Sequence, residues 1–180
     1  MAQGNGGVIG PVNTVTAAVN LSAKVTTFNS SGTLTAQGTG DVDYLIVGGG
    51  GGSAGAGGCT VSAGGGGAGG YRASGFGPSP LRGSAVPVTK DTEYTITVGG
   101  GGSAGGSSAS PPNNNSGNGS NSSAFCLTAA GGGAGRQNSA GQAGGSGGGT
   151  SYTSGAPGAG NTPPVSPPQG NAGGADNNGS

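Results

Sequence analysis

The chain has 180 residues, of which 49 are Gly and 11 Pro, and its five basic and five acidic residues cancel. Ordinary domains carry about 7% Gly and 5% Pro, and Gly costs about 1 kcal/mol relative to Ala in a helix interior, so no α-helix is expected. Zero net charge argues against a nucleic-acid partner, because phosphate binding needs clustered Lys and Arg, and no apolar run approaches the roughly 18 residues of a membrane span.

Val, Ile, Leu and Phe together number only 23, too few for a conventional large core. His is absent, which removes the commonest metal ligand and general base. No metal and no cofactor is expected. The opening residues have neither a basic nor an apolar segment of a secretory signal, so synthesis and folding in a cytoplasm are expected.

In chain order, residues 1–19 contain Val8-Ile9-Gly10-Pro11-Val12 and read as an extended arm. Residues 20–100 form a β-rich region with glycine tracts. Within it Val25-Thr26-Thr27-Phe28 and Thr33-Leu34-Thr35 flank Asn29-Ser30-Ser31-Gly32, a hairpin signal. The densest β-former run is Val42-Asp43-Tyr44-Leu45-Ile46-Val47; Val86-Pro87-Val88 follows as an edge strand because of its Pro, then Tyr94-Thr95-Ile96-Thr97-Val98. Residues 101–160 are dominated by glycine tracts with polar loops, and residues 161–180 by Pro, Asn and Gly. The expected fold is an all-β N-terminal half, an antiparallel sheet or sandwich, followed by a polyglycine II helix bundle.

The bundle expectation rests on repetition. Asp41-Val42-Asp43-Tyr44-Leu45-Ile46-Val47 runs into glycines and Ser53-Ala54-Gly55; Asp91-Thr92-Glu93-Tyr94-Thr95-Ile96-Thr97-Val98 runs into glycines and Ser103-Ala104-Gly105. Inside the tracts, Gly49, Gly52, Gly55 and Gly58 stand three apart, as do Gly99, Gly102 and Gly105, and Gly141, Gly144 and Gly147. Three residues per turn is the period of the polyproline II helix, which has no internal hydrogen bonds. Its N–H and C=O groups must find partners, and rows without Cβ let neighbouring helices approach closely enough to supply them. A flexible Gly/Ser linker would carry similar rows; tracts that recur after strands favour ordered helices.

Chemistry is hard to find. Gly50, Gly52 and Gly55 satisfy G-x-G-x-x-G, but neither the helix nor the later acid of a dinucleotide site follows. The pairs Asp41 with Asp43 and Asp91 with Glu93 read as charges at strand entrances that protect edges from mispairing. No nucleophile has a base, so catalysis is not expected. Cys59 and Cys126 are too few for a disulfide framework, and Cys126, within Ala124-Phe125-Cys126-Leu127, reads as a buried free thiol. Recognition candidates lie in loops: Tyr71, Arg72, Phe76 and Arg82, with aromatic and Arg character favoured at binding surfaces, then Asn113, Asn114, Asn115 and Tyr152 in polar segments.

The series Lys24-Val25-Thr26-Thr27-Phe28, Val42-Asp43-Tyr44-Leu45-Ile46-Val47-Gly48-Gly49-Gly50, Gly64-Gly65-Gly66-Gly67-Ala68-Gly69-Gly70-Tyr71-Arg72, Tyr94-Thr95-Ile96-Thr97-Val98-Gly99 and Asn118-Gly119-Ser120-Asn121-Ser122-Ser123 resembles the glycine-rich domain of bacteriophage tail-fibre and virion appendage proteins, and is similar to polyglycine II tail-fibre adhesins. The resemblance implies a non-enzymatic structural component of tail or capsid, located in the virion. It also implies a trimer, with a host-surface glycan or outer-membrane protein as attachment partner; a homo-oligomer is expected as well from the small core, which gains most by burying strand faces against copies of itself, and the position and extended character of residues 1–19 suggest an anchor to other virion proteins. Competing classes are a polyglycine II ice-binding protein and an extracellular cell-surface fibre.

Overall fold

The computed structural model describes residues 24–55, 62–75, 77, 82–106, 116–151 and 155–175. The arm expected over residues 1–19, together with Gly58, Cys59, Phe76, Asn113, Asn114, Asn115 and Tyr152, lies outside the described residues.

Among the described residues there is no helix and all regular structure is short strand. In chain order the strands are β1 (Gly32–Thr35), β2 (Gly40–Val42), β3 (Leu45–Val47), β4 (Tyr71–Ser74), β5 (Arg82–Gly83), β6 (Val86–Val88), β7 (Glu93–Ile96), β8 (Ser122–Ala124), β9 (Leu127–Ala129), β10 (Arg136–Gln137) and β11 (Thr150–Ser151). They form five small sheets: β1 with β7, β2 with β6, β3-β4-β5, β8 with β9, and β10 with β11. Pairing is antiparallel except for β4 with β5 and β10 with β11.

Two details depart from the sequence reading. β1 does not close a hairpin on residues 25–28, which are not strand; it pairs with β7, Leu34 opposite Tyr94. The run from Val42 to Val47 is split, with β2 and β3 in different sheets. At the break, Ser74 Oγ accepts from Tyr44 N–H at 3.0 Å and donates to Asp43 Oδ1 at 2.9 Å, so the N–H of residue 44 bonds a side chain while its carbonyl still accepts from Ser74 N–H. Pro87 lies opposite Asp41 in a two-stranded sheet, where every strand is an edge.

The apolar core is one small cluster. Ile46, Ile96, Ala124 and Ala129 are buried, with Phe28, Leu34, Tyr44, Val98, Phe125 and Leu127 packed around them. Tyr94 and Phe125 meet edge to face with ring centroids 5.3 Å apart, a favourable arrangement of aromatic quadrupoles.

Most other interior positions are Gly or Ala, and there the tract backbones bond one another directly. Gly48, Gly51 and Ala54 donate to the carbonyls of Gly70, Gly67 and Gly64 at 3.0, 2.8 and 2.9 Å. The next row, Gly49 and Gly52, donates to Ser120 and Gly117, while the carbonyls of Gly50 and Ser53 accept from Gly102 and Gly105. A fourth neighbour joins through Gly132 and Gly135, which donate to Gly49 and Gly52. Consecutive residues therefore face different neighbours, and each ladder advances by three residues, the period of a threefold extended helix rather than the two of a strand. The same step recurs where Gly141 and Gly144 donate to Ala156 and Ala159, and where Gly147 and Thr150 donate to Asn171 and Gly174. The two copies of the internal repeat lie side by side and parallel, through the bonds from Gly102 and Gly105 to Gly50 and Ser53.

Glycine serves here by lacking a Cβ. Among the described glycines only Gly75 and Gly77 have positive φ, so the tracts do not exploit left-handed backbone. A Cβ placed on Gly49, Gly51, Gly52 or Gly132 would overlap the carbonyl of Gly100, Gly133, Ser103 or Gly67 respectively. At Gly100, by contrast, nothing lies within 4 Å. Gly132→Ala should therefore destabilise the fold by about 3 kcal/mol through overpacking against backbone. Gly100→Ala should be neutral or stabilising by about 0.5 kcal/mol through the unfolded chain. Paired urea titrations of the two variants check this contrast.

Cys126 is a free thiol and is exposed, not buried as its apolar neighbours suggest. It sits with Phe125 in the turn between β8 and β9, with φ of 61° and 52°, the left-handed pair that a tight hairpin turn demands. Phe125 is retained by its packing on Tyr94, whereas Cys126 carries backbone strain without such compensation. Cys126→Gly should raise stability by about 1 kcal/mol, read as a higher Tm in calorimetry.

Candidate functional site

The sheet β3-β4-β5 collects all three described recognition candidates, Tyr71, Arg72 and Arg82. Its register sets Val47 opposite Tyr71, Leu45 opposite Ala73, and Ala73 beside Arg82. Residues directly opposite share a face, so Leu45, Val47, Tyr71 and Arg82 stand on one side of the sheet. Leu45 is 64% exposed, Val47 52% and Tyr71 39%, and Arg82 is exposed. Ile46, on the opposite side, enters the core. Arg72 pairs with Ile46 and is half-buried, so the sequence-adjacent Tyr71 and Arg72 belong to different rows, and Arg82, eleven positions from Tyr71 in sequence, joins Tyr71 instead.

A cavity of about 10 Å³ lies at this sheet, lined by Tyr44, Tyr71, Arg72, Ala73, Gly83 and Pro167. It has room for about one water and none for a metabolite. At the sheet's end, the bond from Ser74 Oγ to Asp43 holds the carboxylate over Gly75. With φ of +75° and a Cβ position filled by the Asp43 carboxyl, residue 75 is restricted to Gly twice over.

Several polar side chains matter whose role sequence reading did not find. Asn118 Oδ1 accepts from Ala134 N–H and Asn121 Oδ1 from Gly131 N–H, at 2.8 and 2.9 Å. Donors three apart meet acceptors three apart, so these side-chain amides extend the lattice where a backbone carbonyl does not reach. Ser116, buried, places its hydroxyl 2.7 Å from the Gly52 carbonyl and 2.8 Å from that of Gly135. Gln169, 3% exposed, accepts from Ala130 N–H through Oε1 and donates to the Pro163 carbonyl through Nε2. Its own carbonyl accepts from Tyr71 N–H at 2.9 Å. The Pro-rich segment is thereby clasped against β4, with Asn161 Oδ1 accepting from Val165 and Gln169 N–H. The signal that could have marked Asn118 and Asn121 is their spacing of three, matching that of the tracts.

The polyglycine rows fall as follows. Gly49, Gly52, Gly102, Gly105, Gly141, Gly144 and Gly147 donate to neighbouring backbone carbonyls. Gly99 donates to Ser122 Oγ, and Gly55 is buried where a Cβ would overlap the Gly106 carbonyl. Among the described residues no group of three His, Cys, Asp or Glu converges as metal ligands, and no helix is long and apolar enough to cross a membrane.

A family model described as a glycine-rich domain matches residues 26–180, and the chain belongs to that family. Comparison with curated proteins and with solved structures returns no match.

Gln169→Ala should leave the buried Ala130 N–H without its acceptor, at a cost of about 2 kcal/mol. Gln169→Glu keeps an acceptor for Ala130 N–H but loses the donor to the Pro163 carbonyl, so it should recover part of this only at acid pH, where the protonated acid can donate again. Thermal unfolding of both variants, with proteolysis after residue 160 as a local probe, measures the clasp.

Proposed function

We propose, from membership of the glycine-rich domain family and from the threefold backbone lattice, that the chain is a non-enzymatic structural component of a bacteriophage virion, a fibre or appendage of tail or capsid that assembles from copies of itself. The tracts act as a polyglycine II bundle, and the observation that carries the reading is the set of ladders advancing by three residues between separate tracts. Such a lattice gives a thin, stiff body from a short chain. It depends on few charged side chains, and the cavity at the recognition candidates is water-sized. These are properties of a part that is built into an assembly and bears load.

In this reading Tyr71 and Arg82, which the sequence reading put in a loop and the fold puts on strands β4 and β5, offer a contact surface, with aromatic and Arg character favoured at binding surfaces. A host-surface glycan or outer-membrane protein is the proposed attachment partner, and residues 1–19 the proposed anchor to other virion proteins.

Purified phage particles from a host that expresses the chain should contain it in fixed stoichiometry by mass spectrometry, and immunogold should label one end or one surface of the particle. Labelling of cell surfaces in the absence of particles would replace this reading with a cellular fibre. The polyglycine II assignment has its own check: amide protons of Gly51, Gly52, Gly67 and Gly132 should be protected from hydrogen exchange by about three orders of magnitude or more, as buried bonded amides are.

A further inference from the structure

We propose that Asn118 is a latent site of spontaneous deamidation and isomerisation, closed while the lattice is intact and open only when residues 116–121 leave it. Asn followed by Gly is the pair most prone to this reaction, because a residue without Cβ lets its backbone nitrogen approach the preceding side chain. The chain has three such pairs, Asn5-Gly6, Asn118-Gly119 and Asn178-Gly179, and the second lies among the described residues. The lattice itself requires that pair. Asn118 Oδ1 accepts from Ala134 N–H at 2.8 Å, and a Cβ on Gly119 would overlap the Gly49 carbonyl. Asn121, which serves Gly131 in the same way, is followed by Ser122 and lacks the second half of the pair.

The reaction has two steps. The Gly119 nitrogen attacks Asn118 Cγ: a C–N bond forms and closes a succinimide ring, the Gly119 amide proton passes to solvent, and Nδ2 takes up a proton and departs as ammonia. Water then adds to one imide carbonyl. Cleavage of the new bond to Cγ gives aspartate on the original backbone, and cleavage of the bond to the main-chain carbonyl gives isoaspartate. Folding withholds the first step. The Gly119 N–H donates to the Gly132 carbonyl at 2.9 Å while Asn118 Oδ1 is tied to Ala134, so the nitrogen and the amide group that must meet are held at separate points of the 130–135 tract. Gly117 and Ser120 donate to Ser103 and Gly100, a step of three, and a threefold extended backbone has ψ of about +145°. Ring closure needs ψ of residue 118 turned until the Gly119 nitrogen eclipses the Asn118 Cβ, which breaks those bonds.

The fold also separates the products. Aspartate at 118 leaves the main chain unchanged and keeps a side-chain oxygen for the Ala134 N–H. Isoaspartate carries the chain through its β-carbon and adds a main-chain atom between residues 117 and 120. The carbonyls of Gly117 and Ser120 accept from Gly52 and Gly49, and their N–H groups donate to the 99–106 tract. An added atom shifts one pair of bonds against the other on two neighbours at once, so an isoaspartyl chain does not re-enter the lattice. Prolonged opening of this tract is thereby turned into a permanent covalent change.

The test incubates the full chain at mildly alkaline pH with and without denaturing urea. Trypsin then releases residues 91–136, in which Asn118-Gly119 is the single Asn-Gly pair, and fragmentation mass spectrometry follows residue 118. Deamidation there should be slower by about a hundredfold or more in the folded chain than in urea. Gly132→Ala, which disturbs the neighbour that holds Gly119, should raise the rate without urea by about tenfold or more, and Gly100→Ala should leave it unchanged. When the urea sample is refolded, isoaspartate at 118 should be confined to chains that stay unfolded, whereas Asn118→Asp should fold with a Tm close to that of the wild-type chain. Equal rates in the two states, or no reaction in urea, overturn the proposal. So does a Gly132→Ala rate equal to that of the wild-type chain, recovery of isoaspartyl chains in the folded fraction, or an Asn118→Asp chain that does not fold.

Discussion

Everything in this molecule depends on backbone N–H groups donating to carbonyls of chains that pass side by side without side chains between them. One such bond contributes about 1 kcal/mol net, and fixing a residue costs about 1–2 kcal/mol, with Gly at the costly end. No tract can be stable alone on those terms. A tract such as residues 48–55 instead bonds four neighbours at once, so the ordering cost of each residue is shared among several contacts and the lattice forms as a unit. The same constraint explains the substitutions that are permitted. Ala54 and Ala134 are buried where the Cβ has room, while Ser53, Ala68, Ser103 and Ala143 stand exposed.

The lattice has margins, and side chains close them. Asn118 and Asn121 supply carbonyl oxygens of their own, Gln169 supplies one to Ala130, and Ser122 accepts from Gly99. The Pro-rich segment, with cis peptide bonds before Pro163 and Pro167, is held by Asn161 and Gln169, and residues beyond it return to the lattice through bonds to Gly147, Thr150 and Gly158. A segment without an apolar pattern is thus integrated by polar atoms.

What could be read from the sequence follows the same physics. Local periodicity announces the tracts, since Gly49 and Gly52, or Gly141 and Gly144, share a neighbour because they are three apart. It also announces β3 and β7, whose β-formers are dense. Partner choice is another matter: β1 finds β7 about sixty residues away, and nothing local distinguishes that from the hairpin at residues 29–32. The break between β2 and β3 comes from Ser74, a residue in another strand. For the site, Tyr71 was recognisable by type, but its association with Leu45, Val47 and Arg82 is a product of strand register, which a single sequence does not display.

The small size of the apolar cluster around Ile46 and Ile96 has a thermodynamic counterpart. Exposure of apolar surface raises the heat capacity on unfolding and exposure of polar surface lowers it. A fold whose buried surface is largely peptide groups of Gly therefore unfolds with an unusually small heat-capacity increment for its length. Its stability varies gently with temperature, without the pronounced curvature that drives ordinary domains toward cold denaturation.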